Sequence, residues 1–284
     1  MGKTAVVLPG VAEILTDHNS LLLDIYAHKT EPQLKMIYAP DEGLFIAESP
    51  MVIKRALDAG FTPESVLTCR EALEGHGKAV IGEIKDTYPD VPIYVGSDEV
   101  LTQIRGYQLT RGVLCAMKRK MRFSAEDILG NSRRIVLLDD VENPSNVGAI
   151  IRSAAAMFMD GILLTFDCSD PLYRRAARVS VGTVFQIPWA YLDCEQDYIE
   201  LLKQYGFKTA AMALSDDAIS VSDPELAKED KLVVIMGNEG YGLSQSVIDK
   251  CDYVVKIPMA PGIDSLNVAA ASAVAFYVVG NKFG

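Results

Sequence analysis

Histidine is scarce in this chain. There are three, His18, His28 and His76, all in the first third. A histidine base is thereby excluded from residues 134–284. Five cysteines (Cys69, Cys115, Cys168, Cys194 and Cys251) are odd in number, scattered, and form no Cys-x-x-Cys pair. That pattern excludes a disulfide framework and a zinc site, and fits reduced thiols in a cytoplasmic protein. No apolar run reaches the ~20 residues of a membrane helix. The stretch near the C-terminus, Val268–Gly280, has thirteen residues and suits a buried helix. The apolar run within Met1–Gly10 is too brief for a secretory signal. Low-complexity tracts are absent, as are a Gly-Lys-Ser/Thr phosphate loop and a dinucleotide fingerprint.

The chain does have ample material for a core, 49% apolar over 284 residues. Its net charge of −11 is unevenly spread. Residues 1–117 carry 10 basic and 16 acidic side chains, and residues 135–284 carry 11 and 20. Between them, residues 118–134 carry six basic (Lys118, Arg119, Lys120, Arg122, Arg133, Arg134) and two acidic. Such an island can serve as a local phosphate patch or as a solvated linker.

Residues 1–117 read as a small α/β unit. Strands are expected at Gly43–Glu48, Ser65–Thr68, Pro92–Val95 and Gly112–Met117. Helices are expected over Ser49–Ala59 and Asp98–Ile104. Ser49 and Pro50 supply a cap and a first helical position, and Gly60 a stop. Residues 118–133 read as a basic linker. From 134 to 284 strands and helices alternate again. Strands fall at Ile135–Leu138, Gly161–Phe166, Val184–Trp189, Lys208–Leu214, Leu232–Met236 and Tyr253–Ile257. Helices are expected over Asn146–Met159, Leu172–Val181, Glu195–Tyr205 and Ser265–Val279. Nearly unbroken apolar strands such as Leu232–Met236 imply a doubly wound parallel sheet covered on both faces.

Three polar, Gly-rich loops each follow one of these strands and lead into a helix, where open α/β sheets build their sites. The first, Asn143–Arg152, offers Asn146 as a helix cap and Arg152 six residues on. The second, Met236–Ser244, holds three glycines and an acid, Glu239, in a tight turn. Its glycine spacing leaves backbone N–H groups open to a ligand. The third, Ile257–Val268, has two prolines and a glycine before Ser265 and Asn267, with Ser265 as a cap.

In this order, the segments Asn146–Arg152, Gly237–Leu243 and Ile257–Val268 resemble the motifs of the SpoU/TrmH family of SPOUT RNA methyltransferases. Ser180–Pro188 is similar to the stretch that family carries between its first two motifs. The likeness covers about residues 131–284. More loosely, residues 1–117 resemble the α/β substrate-binding domain found ahead of it in many members. The resemblance implies a parallel sheet with a deep trefoil knot, a homodimer with sites completed by the partner chain, and S-adenosylmethionine as cofactor. It also implies methyl transfer to a ribose 2′-hydroxyl of tRNA or rRNA. Carried over, Arg152 faces the hydroxyl, Asn146 and Glu239 position it or the ribose, and Ser265 and Asn267 hold the substrate side. Met236, Gly237, Asn238, Gly240, Ile257, Met259, Ser265 and Leu266 line the cofactor pocket, and no metal is needed. The sequence departs from the family at Asp264, Ala269 and Ala260-Pro261, and has Ser49 where glycine is common. The alternative is an RNA-binding protein that keeps the fold without catalysis. The intact Asn146, Arg152, Glu239, Ser265 and Asn267 argue against it.

Overall fold

A computed structural model describes residues 14–15, 24–35, 43–96, 101, 112–120, 122–193, 197–215, 217–263 and 265–280. The helix expected over 98–104 lies outside these residues apart from Leu101, as do His18, Cys194 and Asp264. By internal packing the chain divides into one unit of Met1–Lys120 with Leu172–Gly182, and another of Met121–Pro171 with Thr183–Gly284.

Elements of the first unit begin with β1 (Ile14–Leu15), α1 (Asp24–Ala27), α2 (Glu31–Lys35), β2 (Leu44–Glu48) and α3 (Pro50–Asp58). They continue with β3 (Pro63–Cys69), α4 (Arg70–Glu74), α5 (Lys78–Thr87), β4 (Ile93–Gly96) and β5 (Val113–Lys118). The sheet order is β1-β4-β3-β5-β2, with β5 antiparallel to both neighbours. Phe45 and Phe61 meet edge to face in its core. Ser49 caps α3 from a φ of 90°, a region that favours glycine. That explains why glycine suits this position.

The second unit opens with α6 (Ala125–Asn131), β6 (Arg134–Leu138), α7 (Pro144–Ala156) and β7 (Gly161–Leu164). The chain then contributes α8 (Arg174–Val179) to the first unit. Within that unit, the buried carboxylate of Glu48 accepts from Arg174 Nε at 3.1 Å and Arg178 Nη1 at 3.4 Å. This ion pair ties α8 to β2. The second unit resumes with β8 (Trp189–Tyr191), α9 (Tyr198–Gln204), β9 (Lys208–Met212), β10 (Ile219–Ser220) and α10 (Pro224–Lys228). It ends with β11 (Leu232–Met236), α11 (Gln245–Ile248), β12 (Tyr253–Lys256) and α12 (Val268–Val279).

All strands of this second sheet are parallel, in the order β10-β12-β9-β11-β6-β7-β8. Alternate residues of the central strands, Ile135, Leu137, Val233 and Ile235, face a core shared with Ile128 and Leu129 of α6 and Ile199 and Leu202 of α9. Across the sheet, α12 packs along α7. Both faces are covered, so every residue of β6, β7 and β11 is buried. Parallel pairing puts the carboxyl ends of all these strands on one edge, where the three loops emerge. No helix among the described residues is long and apolar enough to cross a membrane.

Several expectations are corrected. The stretch 118–133 holds α6, started by a Ser124–Asp127 capping box. Val184–Trp189 is not a strand. Residues 183–185 form a 3₁₀ turn, and Pro188 has no N–H for a ladder, so β8 starts only at Trp189. The cap of α7 is Asn143, whose Oδ1 accepts from Ser145 N at 2.9 Å, because Pro144 sets the first helical position. Asn146 lies inside that helix. Likewise α12 is capped by Asn267, which accepts from Ala269 N at 2.9 Å, rather than by Ser265.

The basic island is also largely spoken for. Lys118 pairs with Glu64 at 3.3 Å. Lys120 donates to the Gly60 carbonyl at 2.6 Å, and Arg122 to that of Phe185. Arg133 meets Asp230 at 3.0 Å. Arg134 is buried, its guanidinium donating to the carbonyls of Glu229, Asp230 and Val279.

Candidate active site

The β6 strand ends at Leu138, and its ladder with β11 continues one step as Asp139 N donates to Met236 O at 2.8 Å. This brings the first two loops side by side. Glu239, in the second loop, turns its carboxylate onto the first. It accepts from Asn143 N at 3.1 Å, Glu142 N at 3.3 Å and Asn146 Nδ2 at 2.9 Å. Since a carboxylate only accepts, Asn146 must present its amide nitrogen to Glu239 and its oxygen elsewhere. That oxygen accepts from Asn267 Nδ2 at 3.3 Å. One chain of side chains, Glu239–Asn146–Asn267, thus joins all three loops. Partial burial opposes ionisation of Glu239. The donors from Asn146, Asn143 and Glu142 outweigh it and hold the carboxyl below its ordinary pKa.

A second tie lies beside the first. Asp140 adopts a φ of 57°, and its carboxylate accepts from Asn238 Nδ2 at 3.2 Å and from the Tyr241 hydroxyl. Asn238 Nδ2 also reaches the Asp140 carbonyl at 2.9 Å, while its Oδ1 takes Gly240 N at 2.8 Å. Neighbouring Asp139 is pushed up by burial, against the Tyr198 hydroxyl that donates to it at 2.9 Å. Gly237 is required by close packing. A Cβ there would lie 2.5 Å from Gly242 C and 2.6 Å from Leu243 N, both backbone atoms.

Between the second and third loops opens a cavity of about 570 Å³, within the ~300–1,000 Å³ usual for small-molecule sites. Its wall includes Met236, Gly237, Asn238, Gly240, Ile257, Met259, Ser265 and Leu266, together with Glu239 and Asn267. The sheet adds residues 212–214 at the end of β9, which the sequence reading did not include. Apolar side chains and glycine-rich backbone alternate around it. Arg152 stands apart. It does not line the cavity, is exposed, and has no hydrogen-bond or ion-pair partner among the described residues. Six residues after Asn146, it lies about 9 Å further along α7 and about 120° around it. Glu239 and Asn146 therefore hold each other rather than Arg152. Among the described residues no group of three or more His, Cys, Asp or Glu side chains could hold a metal.

Missed from sequence were Asn143, Asp140 and Tyr241. The pair Asn143-Pro144 is a cap followed by proline at the first helical position, a signal that was there to be read. The left-handed Asp140 and its bond to Tyr241 left none.

Compared with known sequences, the chain matches the model of the SpoU rRNA Methylase family over residues 133–277, half its length. The chain belongs to this family. An uncharacterised tRNA/rRNA methyltransferase of Mycobacterium bovis is 34% identical to it over 239 residues, covering 83% of this chain and 80% of that protein. Among solved structures, this SpoU-family chain shares its fold with an AdoMet-bound rRNA methyltransferase of Sinorhizobium meliloti. The TM-score is 0.78 at 24% identity, over 94% of this chain and 97% of the other. It shares the fold also with the SpoU methyltransferase AviRb of Streptomyces viridochromogenes, solved with AdoMet. There the TM-score is 0.71 at 22% identity, over 90% and 94% of the two chains. A structure described as an RNA 2′-O ribose methyltransferase gives a TM-score of 0.74 at 21% identity, covering 94% and 97%.

Proposed function

We propose that this SpoU-family chain is an RNA 2′-O-methyltransferase that uses S-adenosylmethionine and acts on a ribose of rRNA or tRNA. The observation that carries this reading is the cavity between the motif loops, with the Glu239–Asn146–Asn267 chain beside it. Relatives described as tRNA/rRNA methyltransferases, AdoMet-bound or 2′-O-specific, support it. The residues present fit the cofactor. Met236, Ile257 and Leu266 offer apolar contacts for an adenine ring, and the backbone of residues 237–242 offers polar groups for its ribose and amino-acid ends. When bound, S-adenosylmethionine supplies an electrophilic methyl group on a sulfonium.

The chain's own residues would do the rest. Glu239, ionised, fixes Asn146, and Asn146 fixes Asn267, so the acceptor side is preorganised before RNA arrives. A hydroxyl that attacks must shed its proton. The second unit has no histidine, and an arginine stays protonated. Arg152 would therefore offset the negative charge growing on the ribose oxygen as the S–C bond breaks and the O–C bond forms, and the hydroxyl proton would pass to solvent water.

We place Arg152 opposite a second copy of the chain. Arg152 is exposed on α7, and Phe158 just after α7 and Val274 and Tyr277 on the adjoining α12 are exposed apolar residues. An apolar face of this kind favours a homodimer, in which Arg152 would complete the partner's site. The trefoil knot belongs to this reading too.

The test is transfer of labelled methyl from S-adenosylmethionine to unmodified tRNA and rRNA, side by side. Label in one pool, lost in Arg152→Ala with cofactor affinity retained, is the expected result. Mixing Arg152→Ala with a Gly237→Ala variant should restore part of the activity if Arg152 acts across subunits. No label in either pool with cofactor binding intact would point to a missing assembly intermediate or partner, and loss of cofactor binding as well would favour the non-catalytic alternative.

A further inference from the structure

Phe166 sits on the turn after β7 and is 60% exposed. Its ring is stacked on Tyr191, the last residue of β8, with centroids 5.3 Å apart and planes 12° from parallel. Tyr191 is braced in turn by Trp189, edge to face at 6.1 Å, and Trp189 is fixed by donating Nε1 to the Val184 carbonyl at 3.0 Å. Single exposed apolar side chains are ordinary on a protein surface; what sets Phe166 apart is that its ring is held flat against a second ring. Here the ring is flat, held on one side, and open on the other.

Its position is tied to the candidate active site. Both aromatics lie on the carboxyl edge of the parallel sheet, where the cavity also opens. Phe166 follows Thr165, whose Oγ1 accepts from Asp140 N at 3.0 Å. The Asp140 carboxylate holds the hydroxyl of Tyr241, a cavity-lining residue. Two strand spacings separate β7 from β11, about 10 Å along this edge. The surroundings are acidic. Asp167 and Asp170 flank the turn, Asp193 follows β8, and Asp139, Asp140 and Glu142 lie in the adjoining loop. Phosphate attraction is weak at such a place. A neutral, planar group suits it far better.

We infer that the Phe166–Tyr191 pair is a stacking platform for an unpaired nucleobase of the RNA, beside the nucleotide that receives the methyl. It rests on the RNA-modifying function proposed above and adds how this acidic half holds RNA: by ring faces rather than by counter-charge. RNA that offers an unstacked base is the substrate class it selects. Duplex RNA, whose bases are already stacked, cannot use it.

The protein carries its own reporter, since Trp189 is the sole tryptophan and touches Tyr191. Titrating a short oligoadenylate should change Trp189 fluorescence in the wild type, and a duplex of equal length should not. Phe166→Ala should weaken the oligoadenylate response about five- to 150-fold, the range for removing one base–aromatic stack. Phe166→Trp gives a second tryptophan, so its affinity is read by calorimetry and should stay near wild type. In methyl transfer, Phe166→Ala should raise the KM for RNA more than it lowers kcat. The salt slope should stay as in wild type, because no phosphate contact is lost. An unchanged oligoadenylate affinity in Phe166→Ala would overturn the inference, and so would a flattened salt slope. A shift of Phe166→Ala to a smaller assembly in gel filtration would also overturn it, by making the ring a protein contact. Fluorescence reads binding whether or not methyl is transferred. An inactive wild type that still shows the Phe166-dependent response would sink the proposed activity and leave the platform standing.

Discussion

Replacing Arg134 by methionine should destabilise the second unit by about 3 kcal/mol. The guanidinium donates to the carbonyls of Val279 at 3.1 Å, Asp230 at 3.0 Å, Glu229 at 2.6 Å and Arg133 at 3.2 Å. Two of these keep another donor, since Leu232 N still reaches Arg133 O and Arg133 Nε still reaches Asp230 O. The carbonyls of Glu229 and Val279 lose the donor described for them. A buried acceptor stripped of its partner costs about 1–3 kcal/mol, so the pair costs about 2–6. Part of that returns, because burial also penalises the charge and lowers the Arg134 pKa. Methionine keeps the apolar stem, which limits the cavity left behind. The net of about 3 kcal/mol corresponds to a fall in Tm of roughly 6–12 °C for a domain of this size. Urea unfolding followed by Trp189 fluorescence reads the second unit alone, since the sole tryptophan lies there. A change under about 0.5 kcal/mol, joined to weaker RNA binding with a shallower salt slope, would refute the reasoning. Arg134 would then be a phosphate contact after all.

Three further outcomes follow from the geometry. Gly237→Ala should abolish cofactor binding while leaving the circular dichroism spectrum intact, because its Cβ meets the backbone of residues 242 and 243; normal affinity in calorimetry would contradict the packing. The folded pKa of Glu239 is depressed, so its stabilising effect is complete above the unfolded value of about 4.3 and fades as pH falls through the folded one. The Tm gap between wild type and Glu239→Gln should thus hold from about pH 8 to 5 and close on further acidification, and a gap that widens in acid would have the sign wrong. Glu48→Ala leaves Arg174 and Arg178 without their carboxylate. If that opens the segment by about 3 kcal/mol, tryptic cleavage after Arg174, Arg175 and Arg178 should quicken on the order of a hundredfold. Unchanged digestion would show that the pair holds nothing in place.

Strands were the most legible part of this chain. Leu232–Met236 is apolar throughout because both its faces are covered, and an uninterrupted run of that kind has few other readings. Helix starts were harder. Asn143 and Asn146 are both good caps, as are Ser265 and Asn267, and the sequence alone does not rank candidates two or three residues apart. Residues 184–189 have a strand's composition, yet the 3₁₀ turn over 183–185 and Pro188 override it. The three loops could be placed at one sheet edge from the alternation of elements. That Glu239 grips Asn146 rather than Arg152 depends on loop conformation, which periodicity does not encode. Basic residues 118–134 show the limit of charge counting. A run of six cations looked like one surface, but the backbone distributes them among carbonyls and carboxylates in two separate units.

The eleven residues Leu172–Gly182 are drawn from the middle of the second unit's sequence but belong to the first. This has a consequence for synthesis on the ribosome, where chains emerge and fold from the N-terminus. The first unit does not have all its parts when residue 120 emerges. It waits for α8, and by then β6 and β7 of the following unit have already left the tunnel. During that interval Glu48 lacks Arg174 and Arg178. Neither half can be finished by cutting the chain once, so two independent domains expressed from a single break near residue 120 would each lack a piece or carry a foreign one. The two units are woven by order of manufacture, and any separation of them by truncation or by gene fission would have to take α8 along with the first.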